Sequence, residues 1–378
     1  MYPRPAVALL AALALAACSD RQPATTAPGA ALDVGGRRPA VGGVFISTND
    51  AAANAVVAFD RAADGSLSYA GSYSTGGRGI GGTADPLASQ FALTLSPNAQ
   101  LLFVVNAGSN DVSSFAVDKG GLALVDRVPS GGVRPVSVAA SGHELYVLNA
   151  GSNTVTVFRI GNGGTLSAVG ASALSAGAAG AAALRLSRDG HFLSVTERVS
   201  NTIDTYVVAP DGSLGGPASN ASAGTAPFGF DYTPRGQLVV SEAGSGSASS
   251  YEQARDGRLS VVSAAAPTLQ RAPCWLIVDN AGRFAYTANA GSATVTGFAV
   301  DAHGALAAIT PNGVTGDLGA GAQPLDLDLS RDGKFLYVFE NGTGTVAAFA
   351  VRGDGSLAPM PDTPGLAPRG GYMGLAAY

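Results

Sequence analysis

The sequence predicts an all-β fold, a seven-bladed β-propeller of four-stranded antiparallel blades whose ring is closed by pairing of the N- and C-terminal strands. Three observations predict it. A turn signal, Asp-x-Gly or Gly-x-Gly followed by leucine, recurs seven times, and an earlier turn signal recurs six times. The copies lie roughly 45 to 50 residues apart, the period of a four-stranded blade that buries its faces only against neighbours in a ring.

The unit is clearest in residues 325–357. Leu325-Asp326-Leu327-Asp328-Leu329 alternates apolar with polar residues, Ser330-Arg331-Asp332-Gly333 supplies a turn, and Lys334-Phe335-Leu336-Tyr337-Val338-Phe339 suits a half-buried strand. Glu340-Asn341-Gly342-Thr343-Gly344 bends the chain again, residues 345–351 return as a third strand, and Gly353-Asp354-Gly355-Ser356-Leu357 turns into a fourth. The later turn recurs with leucine at positions 67, 122, 166, 214, 259, 306 and 357. The earlier turn is present near residues 97, 141, 188, 234, 280 and 331, one copy short. The missing first strand is expected from residues 371–378, paired beside Val44-Phe45-Ile46-Ser47, which removes an open sheet edge.

The chain starts with one cation, Arg4, and an apolar run at residues 6–17, the pattern of an export signal too short to span a membrane. Leu15-Ala16-Ala17-Cys18 resembles the bacterial lipobox, which implies signal removal after residue 17 and a lipid on Cys18. An ordinary signal with a chance cysteine is the alternative. Ser19 in place of aspartate favours the periplasmic side of the outer membrane, or the cell surface, with the lipid as the only membrane attachment. Residues 18–40, rich in Pro and Gly, read as a lipidated tether, and residues 41–378 as the propeller. Cys274 is then the one remaining thiol, so no internal disulfide is expected. With 46% hydrophobic residues the chain can bury a core, and a net charge of −5 without any basic run argues against a nucleic-acid partner.

Leu145-Tyr146-Val147-Leu148-Asn149-Ala150-Gly151-Ser152-Asn153-Thr154-Val155 and Gly190-His191-Phe192-Leu193-Ser194-Val195-Thr196-Glu197, each leading to an Asp/Asn-Gly-x-Leu turn, resemble the repeats of the seven-bladed lactonase propellers. That family includes 6-phosphogluconolactonases and carboxymuconate-lactonising cyclases, and the resemblance extends over nearly all residues after Val41. It implies a hydrolase or cycloisomerase acting on a sugar lactone or carboxylated lactone. The family's catalytic pattern, Arg-His beginning an inner strand and Asn-Glu ending the next, is missing at the matching places. His143, His191 and His303 all fall at hairpin turns.

Geometry offers substitutes. The residue ending the second strand is expected to be Asn49, Asn106, Asn149, Glu197, Glu242, Asn289 and Glu340 in successive blades, a ring at one channel mouth. Asparagine suits a turn, whereas glutamate does not, so Glu197 and Glu242 are the candidate catalytic bases, with Glu340 as a substrate-binding candidate. Arg134, Arg198, Arg271 and Arg369 are placed to hold a carboxylate or phosphate, or to form surface ion pairs. Trp275 has two roles open to it, stacking on a sugar ring or filling space between blades. No Cys/His cluster supports a metal and no nucleotide loop is present, so neither a metal nor a cofactor is expected. The other reading is a non-catalytic propeller that binds a carbohydrate, peptide or protein partner at the same mouth.

Overall fold

The computed structural model describes residues 40–118 and 121–378. The expected signal, Cys18 and the tether up to residue 39 lie outside the described residues. The described chain forms seven antiparallel sheets. Six are continuous in sequence, with innermost strands Leu93–Leu95, Pro135–Ala140, Ala181–Leu186, Pro227–Tyr232, Pro273–Val278 and Pro324–Leu329 beginning blades 2 to 7. In blade 1, Gly42–Ser47 lies between Ala55–Arg61 and the terminal strand Met373–Ala377. Val44 pairs with Ala377, Phe45 with Ala376 and Ile46 with Leu375, the expected closure by both ends of the domain. Each innermost strand touches that of the next blade, and Met373–Ala377 touches those of blades 7 and 2.

The repeat has a physical cause at the blade interfaces. Tyr146, Tyr286 and Tyr337, on second strands, donate their hydroxyls to the carbonyls of Gly212, Gly355 and Gly65 in the next blade's later turn, at 3.0, 2.9 and 2.8 Å. Gly65 and Gly355 have φ of 86° and 83°, and a Cβ on either would meet the ring of Phe335 or Phe284 at 2.4 Å. Only glycine satisfies both demands. Apolar packing does the rest: Val44, Ile46 and Leu375 of blade 1 join Leu325, Leu327 and Val338 of blade 7 in one buried cluster. Each such side chain contributes about 1.5–3 kcal/mol.

Blade 4 departs from the pattern. Leu214 makes an isolated bridge with Val208, and the outer strand comes later, at Ala218–Ala221. Gly215-Gly216-Pro217 accounts for the gap, since glycine weakens a strand and proline has no N–H for the ladder.

Candidate functional site

At the mouth where the inner strands begin, the blades share one device. The residue before the inner strand is left-handed in blades 3 to 7: Arg134, Gly180, Ala226, Ala272 and Gln323, with φ of 54°, 70°, 54°, 51° and 49°. Its carbonyl accepts the N–H of the residue after the second strand, which is Ala150, Arg198, Ala243, Ala290 or Asn341, at 3.0–3.1 Å. Small or amide side chains fill these positions except at Arg134 and Arg198, in neighbouring blades, which break the repeat.

A second break is the connection from blade 1 to blade 2. It spans 18 residues between Ser74 and Leu93, against five between Pro129 and Pro135. Asn49 secures it by donating from Nδ2 to the Gly81 carbonyl at 3.3 Å and accepting the Ile80 N–H at 3.1 Å. Asn341 donates to the Thr83 carbonyl at 2.7 Å. The chain then enters the channel. The Gln90 N–H donates to Ala182 O at 3.1 Å, and its side chain donates to Leu276 O at 2.9 Å while accepting the Leu276 N–H at 3.2 Å. Ser89 donates to Val136 O at 2.9 Å, and its carbonyl accepts the Trp275 indole N–H at 3.0 Å. Ser89 and Gln90 are fully buried, a plug tied to blades 3, 4 and 6.

Asp85 sits where this segment turns inward. Asp85, Ala88 and Phe91 have φ of 41°, 52° and 62°, three non-glycine residues in the left-handed region within seven positions. Such strain persists only where the surroundings enforce it. Burial pushes the Asp85 carboxyl up to about 7, against the backbone N–H groups of Ser89 and Ala88 and the guanidinium groups of Arg198 and Arg134, all of which favour the ionised form. Its Oδ1 and the Nε of Arg198 are buried without a hydrogen-bond partner among the described residues. Arg134 holds the same segment from outside, its Nη2 lying 3.3 Å from Pro86 O. The Cys274 thiol nearby is pushed up to about 12 by burial and by Asp85, so it is no nucleophile at neutral pH.

The structure places the other expected residues differently. The three glutamates of the expected ring are withdrawn from solvent: Glu197 and Glu242 are fully buried and Glu340 nearly so. Glu242 accepts from Ser222 Oγ at 3.1 Å, Gly224 N–H at 2.6 Å and Ser247 Oγ at 2.7 Å. Glu340 accepts the hydroxyls of Thr343 and Thr345 at 2.8 and 2.5 Å. These acids stand where other blades use asparagine as an internal brace, so they lie beneath the mouth and do not line it. Blade 1's bracing residue is Ser47, bonded to Asn54 at 3.0 Å; Asn49 lies two residues further on. Trp275 is buried, edge-on to Phe228 at 5.4 Å, and supports the plug with no face free for a sugar. Arg271 and Arg369 are exposed and line a depression of about 520 Å³ together with Thr83 and Ala84, the residues that precede Asp85. Sequence reasoning misses Asp85 because it belongs to no repeat. The length of its connection is the available signal.

A family model for lactonases of the seven-bladed β-propeller type matches residues 52–179, 165–243 and 239–363. A search of curated proteins by sequence found no match. Among solved structures, a protein from Lactobacillus plantarum is similar with a TM-score of 0.72 at 17% identity, over 89% of this chain and 99% of that one. The periplasmic gluconolactonase PpgL of Pseudomonas aeruginosa is similar with a TM-score of 0.66 at 20% identity, over 89% and 98%. Streptogramin B lyase shares the architecture more loosely, with a TM-score of 0.54 at 15% identity over 78% and 88%. At these identities the likeness is one of fold.

Proposed function

Because the chain belongs to the family of seven-bladed β-propeller lactonases, we propose that it is an exported, lipid-anchored lactonase-type hydrolase whose site is the mouth around Asp85. The observation that carries this reading is a carboxyl with its pKa near 7, on strained backbone, beside the two arginines that break the mouth repeat of blades 3 to 7. The family match supports the reaction, the apolar run at residues 6–17 before Cys18 supports export, and a periplasmic gluconolactonase of the same fold accords with both. The substrate class is a hydroxylated or carboxylated lactone.

In the proposed mechanism the Asp85 carboxylate takes a proton from a water as its oxygen attacks the lactone carbonyl. A group with a pKa near the working pH combines a useful ionised fraction with useful basicity. Arg198 and Arg134 stabilise the negative charge that develops on the carbonyl oxygen. When the ring C–O bond breaks, the proton on Asp85 passes to the leaving alkoxide, giving a hydroxy acid and restoring the carboxylate. Arg271 and Arg369 bind an anionic substituent over the adjoining depression.

The test is proton release from a panel of aldonolactones and carboxylated lactones. Turnover should rise with pH through about 7, fall about 10²–10⁴-fold in Asp85→Asn, and persist in Glu242→Gln. Full activity in Asp85→Asn would remove the base. No turnover across the panel would favour the non-catalytic propeller, and the search would turn to carbohydrate, peptide and protein partners.

A further inference from the structure

Below the plug, at the mouth where the inner strands end, we propose a second ligand site, one that takes the carboxylate of a small organic acid. Nothing in this inference depends on the chemistry at Asp85. The buried Ser89 and Gln90 separate the two mouths, so a ligand reaches this one from the opposite face. A cavity of about 290 Å³ lies there, lined among others by Thr94, Arg185, Arg188, Asp231, Asp328 and Arg331. That volume is at the lower limit for ligand pockets and suits a molecule of few atoms.

Arg185 is the centre of the site. Its guanidinium lies over the Phe91 ring at 4.4 Å, and its Nε donates to Asp231 Oδ1 at 2.7 Å. Stacking on one face and a carboxylate at one edge fix the plane of the fork, while its two Nη groups have no acceptor among the described residues. An arginine held in this way has already lost the side-chain freedom that anion binding would otherwise cost, and its remaining edge matches a planar carboxylate. The side chain is 29% exposed and lines the cavity.

The neighbouring groups are already engaged, which leaves Arg185 as the donor. Asp231 accepts at Oδ1 from the Tyr232 N–H as well, at 2.8 Å, and at Oδ2 from the Val278 N–H at 3.1 Å, with Arg188 Nη2 at 3.5 Å. Arg188 donates to Tyr232 O, Val278 O and Asn280 Oδ1 at 3.0, 3.2 and 3.4 Å, so it contributes charge more than free donors. Asp328 accepts backbone N–H groups from Leu329 and Ala377 at 2.8 and 2.9 Å. Burial pushes its carboxyl up to about 6, which weakens its competition for Arg185 in mildly acidic solution. Arg331 is exposed at the rim, where its carbonyl accepts from Asn280 Nδ2 at 2.8 Å and its side chain, among the described residues, reaches only Asn98 O, at 3.4 Å. Three arginines against two aspartates make the lining side chains formally +1, and the main-chain carboxylate of Tyr378, also in the lining, is offset by Arg61, whose Nε donates to it at 2.9 Å. A local excess of positive charge in a cleft concentrates anions.

Isothermal titration of the purified protein with sodium gluconate and, separately, sodium phosphate at low ionic strength tests the site. Gluconate should bind, and Arg185→Gln should weaken it about tenfold or more, the loss of one bidentate charged contact. Arg331→Gln, on the exposed rim where folding is not at risk, should weaken it about threefold, as a screened charge does. The component of binding lost in Arg185→Gln should persist in Arg198→Gln, which removes only gluconate held as product at the opposite mouth, so failure of the lactonase reading and failure of this one are separable. Binding unaffected by Arg185→Gln or, should that variant fail to fold, by Arg331→Gln, or binding absent at millimolar gluconate, would overturn the proposal. Phosphate binding tighter than gluconate would overturn the assignment to a carboxylate.

Discussion

Blade 4 places two carboxyls where blades 2, 3 and 6 pair an amide with a hydroxyl. Asn106 donates to Ser113 Oγ at 2.8 Å, Asn149 to Thr156 Oγ1 at 3.0 Å and Asn289 to Thr296 Oγ1 at 2.9 Å, always seven residues on. The same spacing in blade 4 gives Glu197 and Asp204, both fully buried. Glu197 Oε2 accepts from Ser200 Oγ at 2.6 Å and Asp204 Oδ2 accepts the Ser175 N–H at 2.6 Å, leaving Oε1 and Oδ1 buried without a partner among the described residues. One shared proton would satisfy both oxygens. Burial first, then the Asp204 charge, pushes the Glu197 carboxyl from 4.5 to about 7. The folded state therefore keeps a proton that the unfolded chain releases. Its stabilising effect is complete below about pH 4.5 and is lost as pH rises through 7. At 1.36 kcal/mol per pKa unit the loss by pH 8 is about 3 kcal/mol. Glu197→Gln supplies a neutral N–H donor to Asp204 at every pH and should abolish that slope. In urea titrations at constant m-value, the variant should match the wild type near pH 4.5 and exceed it at pH 8 by up to about 3 kcal/mol. An equal difference at both pH values, or a variant weaker at pH 8, would refute the shared proton.

Three further outcomes follow from the blade interfaces. Tyr337→Phe removes the hydroxyl bonded to Gly65 O across the closing interface and should cost about 1–2 kcal/mol by denaturant titration. Gly355→Ala, at φ 83° with Phe284 in the way, should cost more than about 2 kcal/mol, roughly the sum of left-handed strain and overpacking, and a smaller loss would show that the Phe284 ring moves aside. Deleting residues 373–378 takes away the inner strand of blade 1 and should produce aggregates in light scattering that the full chain does not form, because the edge of Gly42–Ser47 is left unpaired.

The fold was legible because its interfaces demand particular residues at a fixed period. A left-handed glycine under a phenylalanine, as at Gly65 and Gly355, cannot vary freely, and its recurrence with the following leucine marks each blade. Closure followed from counting, since six early turns against seven late ones left one strand to be supplied by residues 371–378. The direction of side chains at the strand ends was not legible. Alternation along a strand says that Asn106, Glu197 and Glu242 share a face, but the blade stacking decides whether that face meets the channel or a neighbour. It meets the neighbour: Asn106 Oδ1 accepts the hydroxyl of Thr75, at the outer end of blade 1, at 2.7 Å. Chemistry-bearing residues of a repeat protein are found where the repeat is interrupted, because periodic positions are already committed to holding the ring together. Asp85 in an 18-residue connection, and Arg134 and Arg198 at positions otherwise filled by alanine, glycine or an amide, are such interruptions. The two arginines were legible as charges beside strand ends. Asp85 required knowing that its connection folds into the channel, where Gln90 bonds to Ala182 and, 186 residues away in sequence, to Leu276.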